Sequence, residues 1–414
     1  MTDASLWSLQ QNSQLQAELD RVTDLAIEKI TAKKITPELD RLGPHPDRAR
    51  LLLSRSDGVD QAPIEAIFNK LPTRFPGMEL LYDRTPDFFS VLRARGNASA
   101  VITARQGSSR DLWGLGSVSV REGYFNGAEA RVAYLGDLRM LLSRSTARVW
   151  RQLYNQLLQD IANELGVASF LTAIVGDNTG ALRSLVSRRN NEFTYEPLGR
   201  LRLLGILGRF SLLANGRRKL DEKRILLGAD AEPEFARFYS SRACGMRHGW
   251  KEVPKAGLPI VLKNRHGETK IVARLVSPDA MKRMRIQSVE WKTRLLFQSL
   301  RATGVHPVAA GSSITTTYLS WVCFGAEMTP VEKRHALIEM IDACLEDPRI
   351  KELGLMNWML IVPDTIGLSM RELGGRFHYS TPVELFEVRP ESASTPQDLR
   401  SQILQDVGFE MSLI

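Results

Sequence analysis

At 414 residues, with 43% hydrophobic and 25% charged side chains, the chain has room for about two to four domains of roughly 100–200 residues each. That composition belongs to a core-burying globular protein and excludes disordered and fibrous classes, and no apolar run approaches the roughly 18 residues of a membrane helix. The net charge is +8, from 55 Lys and Arg against 47 Asp and Glu, and it favours anionic ligands, but the arginines are scattered and no specific nucleic acid is expected.

The opening segment, MTDASLWSLQQNSQ, has no basic stretch followed by an apolar one, so no secretory leader is expected and a cytoplasmic location is. Three widely spaced cysteines, Cys244, Cys323 and Cys344, fit neither a disulfide framework nor a zinc site and read as buried thiols. The six histidines are scattered without ligand spacing, so no metal is expected.

Residues 5–31 read as a helix, because Leu15, Leu19, Val22, Ala26 and Ile30 recur at steps of three and four. It suits a packing arm, with a short dimer contact as the alternative. TPELDRLGPHPDRARLLLSR reads as short-helical around Gly43-Pro44, and IEAIFNKLPTRFPG as a helix stopped by Pro72 and Pro76. MELLYD reads as a strand and TPDFFSVLRARG as a helix capped by Thr85 with Pro86 at its first position. ASAVITARQ is a further strand, and the next two flank Asn126-Gly127, a strong hairpin signal. STARVWRQLYNQLLQDIANELG is an amphipathic helix ending at Gly166, with Val149, Leu153, Leu157, Ile161 and Leu165 on its apolar face. VASFLTAIV is a buried strand that breaks at Asp177-Asn178 into a helix, and RLRLLGILG returns as a strand.

Strand, helix, three strands, long helix, strand, helix, strand over residues 77–215 resembles the GNAT acyltransferase superfamily, and the VGDNTGAL turn with Asn178 carries the same likeness. The resemblance implies a bulged fourth strand whose backbone holds the pantetheine arm of acyl-CoA, at Leu138, Arg139 and Met140. It implies a pyrophosphate at the start of the long helix, at Arg144, Ser145, Ala147 and Arg148, and an arm contact from Asn178. Backbone donors and a helix N-terminus suit those groups chemically.

The second half repeats the order: a hairpin around NRHGE, a helix in SVEWKTRLLFQSLRATG, the strand ITTTYLSWVCFG, a helix from TPVEKRH, the strand LMNWMLIVP, the short helix TIGLSMRELGG and the strand VELFEV. The expected fold class is therefore α/β (α+β), two tandem GNAT-like mixed-sheet domains behind a helical extension. The expected boundaries are 1–76 for the extension, 77–215 and 235–390 for the two domains, and 391–414 for a tail. MTPVEKRH has neither the glycine nor the paired arginine of a phosphate loop, so the second copy reads as structural or as a wall of the acceptor site.

Acyl transfer to an amine needs a held thioester, a group that takes the amine proton, and a proton for the leaving thiolate. Asp137 and Glu122 are candidate bases and Tyr195 a candidate acid, with Tyr134 on the fourth strand also near the expected cleft. The family often carries a tyrosine on the helix after the fifth strand, where this chain has Leu185 and Val186. The expected function is an acyl-CoA-dependent N-acyltransferase. Acetyl-CoA is the first expected co-substrate and a small-molecule or peptide amine the acceptor, and a homodimer stays open. The alternative is a non-catalytic acyl-CoA-binding or scaffold protein.

Overall fold

A computed structural model describes residues 3–32, 51–56, 60–75, 77–84, 87–106, 111–141, 144–175, 178–186, 193–211, 224–243, 248–251, 257–276, 282–302, 310–314, 316–352, 357–368, 372–373 and 376–390. The strands are β1 (Leu51–Ser56), β2 (Thr73–Phe75), β3 (Met78–Arg84), β4 (Ala98–Gln106), β5 (Leu112–Phe125), β6 (Ala128–Met140), β7 (Val167–Val175), β8 (Phe193–Ser211), β9 (Ile225–Leu227), β10 (His248–Trp250), β11 (Leu258–Lys263), β12 (Thr269–Val276), β13 (Lys282–Val289), β14 (Ser313–Ile314), β15 (Thr316–Phe324), β16 (Asn357–Pro363) and β17 (Arg376–Pro390). The helices are α1 (Asp3–Ala32), α2 (Gln61–Lys70), α3 (Phe88–Arg95), α4 (Arg144–Leu165), the single turn α5 (Thr179–Ala181), α6 (Glu232–Ala243), α7 (Trp291–Ala302), α8 (Pro330–Glu346) and α9 (Pro348–Glu352).

One mixed sheet of 13 strands runs β1-β4-β5-β6-β7-β17-β8-β16-β15-β12-β11-β9, with β10 beside β5; a second sheet runs β14-β13-β3-β2. The large sheet holds two copies of one pattern. In the first, β4, β5 and β6 are antiparallel, α4 crosses over, and β7 lies parallel to β6. In the second, β11, β12 and β15 are antiparallel, α8 crosses over, and β16 lies parallel to β15. The tandem arrangement expected from the sequence is present, but the halves are not separate layers. Their last strands exchange, so that β17 sits between β7 and β8, and β8 sits between β17 and β16.

One core lies under α4 and another under α8. Leu153, Leu157, Ile161 and Leu165 of α4 are buried with Val118, Val120, Leu135 and Phe170 of the sheet. Each such side chain contributes about 1.5–3 kcal/mol when fully removed from water. Leu15, Leu19, Val22, Ala26 and Ile30 of α1 join the same core, so this helix is a packing arm. Lys29 meets Asp160 at 2.9 Å and Arg21 meets Glu164 at 2.7 Å along the seam. Ala336, Leu337, Met340 and Ile341 of α8 bury against β11, β12, β15 and β16. A third core covers the other face of the sheet, where α6 and the small sheet pack on Leu203, Tyr318, Met359 and Val383.

Three local expectations change. Residues 51–56 form an edge strand paired to β4 through Leu51↔Gln106 to Ser56↔Val101; the partner strand overrides the helical reading. MELLYD is a strand, but in the small sheet against β13, a strand the sequence reading did not anticipate. The helix at 88–95 starts after Asp87, whose carboxylate accepts from Ser90 N at 2.7 Å; Thr85 and Pro86 lie outside the described residues. After Pro363 the chain makes a 3-10 turn, Asp364–Ile366; much of the short helix expected over TIGLSMRELGG lies outside the described residues. Asn126 and Gly127 do form the hairpin turn, with φ of 52° and 83°, and Gly166 ends α4 at φ 62°.

Candidate functional site

The parallel ladder between β6 and β7 runs from Arg131↔Val167 to Tyr134↔Leu171 and ends there, among the described residues. Beyond it β6 stays with β5, while β7 stays with β17 through Val383↔Val175. The two strands therefore part toward their carboxyl ends and leave a V open at the top. The Thr172 hydroxyl crosses its base, donating to Leu135 O at 3.0 Å.

β6 bulges where the V opens. Leu115 faces Arg139 and Ser117 faces Gly136, so β6 spends three residue steps where β5 takes two. The extra residue is Asp137, at φ 55°, a left-handed conformation that Asp tolerates better than bulkier residues. Its carboxylate turns inward. Arg95 Nη1 and the Ser117 hydroxyl both donate to Oδ2, the latter at 2.9 Å, and Arg95 Nη2 donates to Oδ1 at 3.4 Å. The Arg95 and Asp137 side chains are 2% and 3% exposed, so the pair is sealed from water. A buried pair of this kind fixes geometry more than it adds stability. Asp137 is thus the pin of the bulge, its lone pairs already engaged.

Gly136 keeps this cluster compact. A Cβ there would stand 2.9 Å from Tyr134 Cε1, 3.0 Å from Arg95 Nη1 and 3.3 Å from Ser117 Oγ. The Tyr134 ring therefore lies along β6 over Gly136, at the base of the V, with the Arg95 guanidinium 5.7 Å from its centroid. On the neighbouring position of β5, a Cβ at Gly116 would meet Trp150 Cζ2 of α4 at 2.9 Å.

The other expected site residues fall in three places. Leu138, Arg139 and Met140 follow the bulge on β6, and the Arg139 guanidinium lies 5.3 Å from the Phe68 ring centroid. Asn178 caps α5, its Oδ1 accepting from Ala181 N at 3.1 Å, at the carboxyl end of β7 and so at the same end of the V. Arg144, Ser145, Ala147 and Arg148 form the first turns of α4, but their side chains, like Asp177, lie outside the described residues. Glu122 is not brought to the bulge. It faces Arg131 on β6, about 20 Å from Asp137 at ~3.4 Å per residue, and accepts from Arg131 Nε at 3.4 Å. Tyr195 is on β8, with β17 and β7 between it and β6, and its ring is edge-on to Phe386 at 6.4 Å. Burial pushes its phenol well above the ordinary range. Tyr154 of α4 is pushed up by burial first, then by Tyr195, Tyr134 and Asp137.

The second half carries the same device at the same step. Val272 faces Cys323 and Arg274 faces Ser320, and the extra residue of β15 is Trp321 at φ 50°. The ladder between β15 and β16 ends at Leu319↔Leu360. Here the equivalent of Asp137 is an indole, 1% exposed and edge-on to Trp250 at 6.2 Å. The start of α8 is also closed: Thr329 and Glu332 form a reciprocal capping box, and Thr329 N donates to Glu332 Oε2 at 2.8 Å. The first turn of α4 holds no acidic residue.

Arg95, Gly136 and the Trp321 bulge were not singled out in the sequence. Arg95 ends a helix, where a solvated basic residue is commonplace, and bulges belong to register, which composition does not encode. Among the described residues no group of three or more His, Cys, Asp and Glu could hold a metal ion, and no helix is long and apolar enough to cross a membrane.

No family model matches the chain, and no curated protein does. Among solved structures, it is similar to Saccharomyces cerevisiae N-myristoyltransferase with bound myristoyl-CoA at 12% identity, over 84% of this chain and 81% of that one, with a TM-score of 0.48. It is similar to an Enterococcus faecalis protein described as a probable N-acyltransferase at 12% identity, over 81% and 72% of the two chains, with a TM-score of 0.40. A GCN5-related glucosamine N-acetyltransferase region of a fungal multi-domain β-N-acetylglucosaminidase matches at 10% identity, over 82% of this chain and 38% of that one, with a TM-score of 0.49. At these scores the likeness is loose. The bulge of β6, the parting of β6 and β7 and the crossover helix α4 belong to this chain's own topology, and they are the layout that the GNAT resemblance implies.

Proposed function

We propose that the first half binds acyl-CoA in the V between β6 and β7 and transfers the acyl group to a primary amine. The observation that carries this reading is the bulge at Asp137, placed where β6 leaves β7 and just before a long helix whose first turn has no acidic side chain. An amide-rich arm laid in the V would run along the main chain of β6 past the end of its ladder with β7. Its pyrophosphate would lie at the N-terminus of α4, where unpaired N–H groups and the helix dipole favour an anion. Arg144 and Arg148 are one turn apart in that segment. The capping box of α8 and the indole at Trp321 favour the first half over the second for this role.

In the transfer the amine nitrogen attacks the thioester carbonyl, the carbon–sulfur bond breaks, and the amine proton leaves as the thiolate is protonated. Asp137 holds the bulge through Arg95. Tyr134, at the base of the V, is the hydroxyl best placed to protonate the thiolate, ahead of Tyr195, and the candidate base Glu122 lies away from the opening.

Calorimetric titration with CoA, followed by assay of free thiol release from acetyl- and longer acyl-CoA with a panel of amines, tests the reading. Binding together with amine-dependent thiol release is the expected result. Tyr134→Phe should then lower kcat about tenfold or more with CoA affinity kept, by the usual contribution of general acid catalysis. CoA binding without thiol release from any amine would favour the non-catalytic alternative, and no CoA binding would overturn both.

A further inference from the structure

Helix α7 is turned inside out by the standards of a surface helix. Thr293 and Phe297, one turn apart, are the half-buried residues among its described side chains, and Thr293 sits against the Gly77 turn of the small sheet, whose φ is 79°. The helix is anchored at its start, where Glu290 N donates to Gly77 O at 2.9 Å. About half a turn round from that packed side, at 100° per residue, are Trp291 and Leu295. They are 66% and 53% exposed; Leu296, round the helix past Lys292, is 51% exposed. A solvated helix normally places polar residues there.

The charges flank this ridge. Lys292 and Arg294 are exposed on opposite sides of it, and the Lys292 ammonium lies 5.6 Å from the Trp291 ring centroid. From 290 to 302 the sequence EWKTRLLFQSLRA holds three basic residues against one acidic, Glu290, in a chain of net charge +8. An outward Trp and Leu ridge with basic side chains on both shoulders is the pattern of a helix that lies in a membrane interface. The indole sits at the level of the headgroups and the cations meet anionic lipid.

A second copy of the chain fits less well. Three side chains of this size expose only roughly 300–400 Å², under half of the ~800 Å² per partner in a stable complex. A two-fold contact through α7 would also bring the basic shoulders of the two copies together.

We propose that α7 docks the protein on an anionic lipid surface, with Trp291 and Leu295 inserted and Lys292 and Arg294 on the headgroups. This is independent of the acyl-CoA reading. Cosedimentation of the full chain with vesicles of phosphatidylcholine and phosphatidylglycerol, and of phosphatidylcholine alone, tests it. Binding to the mixed vesicles only, weakening as salt rises, is expected.

The variant carrying Trp291→Ser and Leu295→Ser should bind the mixed vesicles tenfold or more weakly, with an unchanged thermal melt. Each basic residue beside such a surface is worth about fivefold, so Lys292→Glu with Arg294→Glu should weaken binding about 25-fold or more. Equal binding by either variant, or no binding by the unmodified chain, would overturn the proposal. So would a concentration-dependent dimer lost in the serine variant, which would give the ridge to a second copy.

Discussion

Gly136 is the residue on which the first cluster depends, because three side chains converge on the space where its Cβ would be. Two of them cannot yield: Arg95 is held by Asp137, and Ser117 donates to the same carboxylate. Gly136→Ala should therefore destabilise the fold by about 1–3 kcal/mol, the usual range for overpacking, read as a lower denaturant midpoint at unchanged slope. Asp137→Ala should do more, about 3–5 kcal/mol, since it leaves a buried guanidinium without its counter-charge. A loss below about 0.5 kcal/mol in both would mean that the bulge does not need its pin. At this scale the sequence was legible in part. Asp137 was named as a candidate base at the bulge that the resemblance implies, but its partner Arg95 is 42 positions away and nothing local links the two.

Elements whose pattern is self-contained were readable, and those defined by a partner were not. The apolar steps of α1 named its buried face because 3.6-residue periodicity is local, whereas β1 and β13 are strands by virtue of β4 and β3 beside them. The two crossover helices give a comparison within one molecule. The N-terminus of α8 is satisfied by Thr329 and Glu332, so Thr329→Ala should cost about 1 kcal/mol of stability and leave CoA affinity unchanged. On the proposed reading α4 reverses both effects. Arg144→Ala or Arg148→Ala should leave stability nearly intact and weaken CoA binding about tenfold, since one charge-assisted phosphate contact is worth roughly 1.5–3 kcal/mol before screening. The loss should shrink as salt rises, because screening weakens the contact in the unmodified chain. Titration calorimetry at low and high salt reads this directly, and unchanged affinity in both arginine variants at low salt would remove the phosphate role from α4.

At the scale of the whole molecule, exchange of β8 and β17 makes each half incomplete without the other. β17 pairs with β7 from Val383↔Val175 to Val388↔Phe170 and, on its other edge, with β8 from Arg376↔Ser211 to Pro390↔Phe193. Phe386, Leu385 and Val383 of β17 are all buried, and Val388 lies in the α4 core with Phe170 and Phe193. This was not legible, because β8 and β17 are both long and buried, and neither sequence specifies which half its strand joins. Removing β17 would open the facing edges of β7 and β8 in the middle of the sheet, a row of unpaired backbone groups beside apolar side chains. The full chain should therefore unfold in one calorimetric transition rather than one per half. A chain ending at residue 375 should lose CoA binding, although no residue of β17 belongs to the proposed cleft. Fragments 1–215 and 216–414 should each aggregate when made alone and recover a folded complex when made together, because each then receives the strand it lacks. Two separate melting transitions in the full chain, or cooperative folding and CoA binding by residues 1–215 alone, would show that the exchanged strands do not couple the halves.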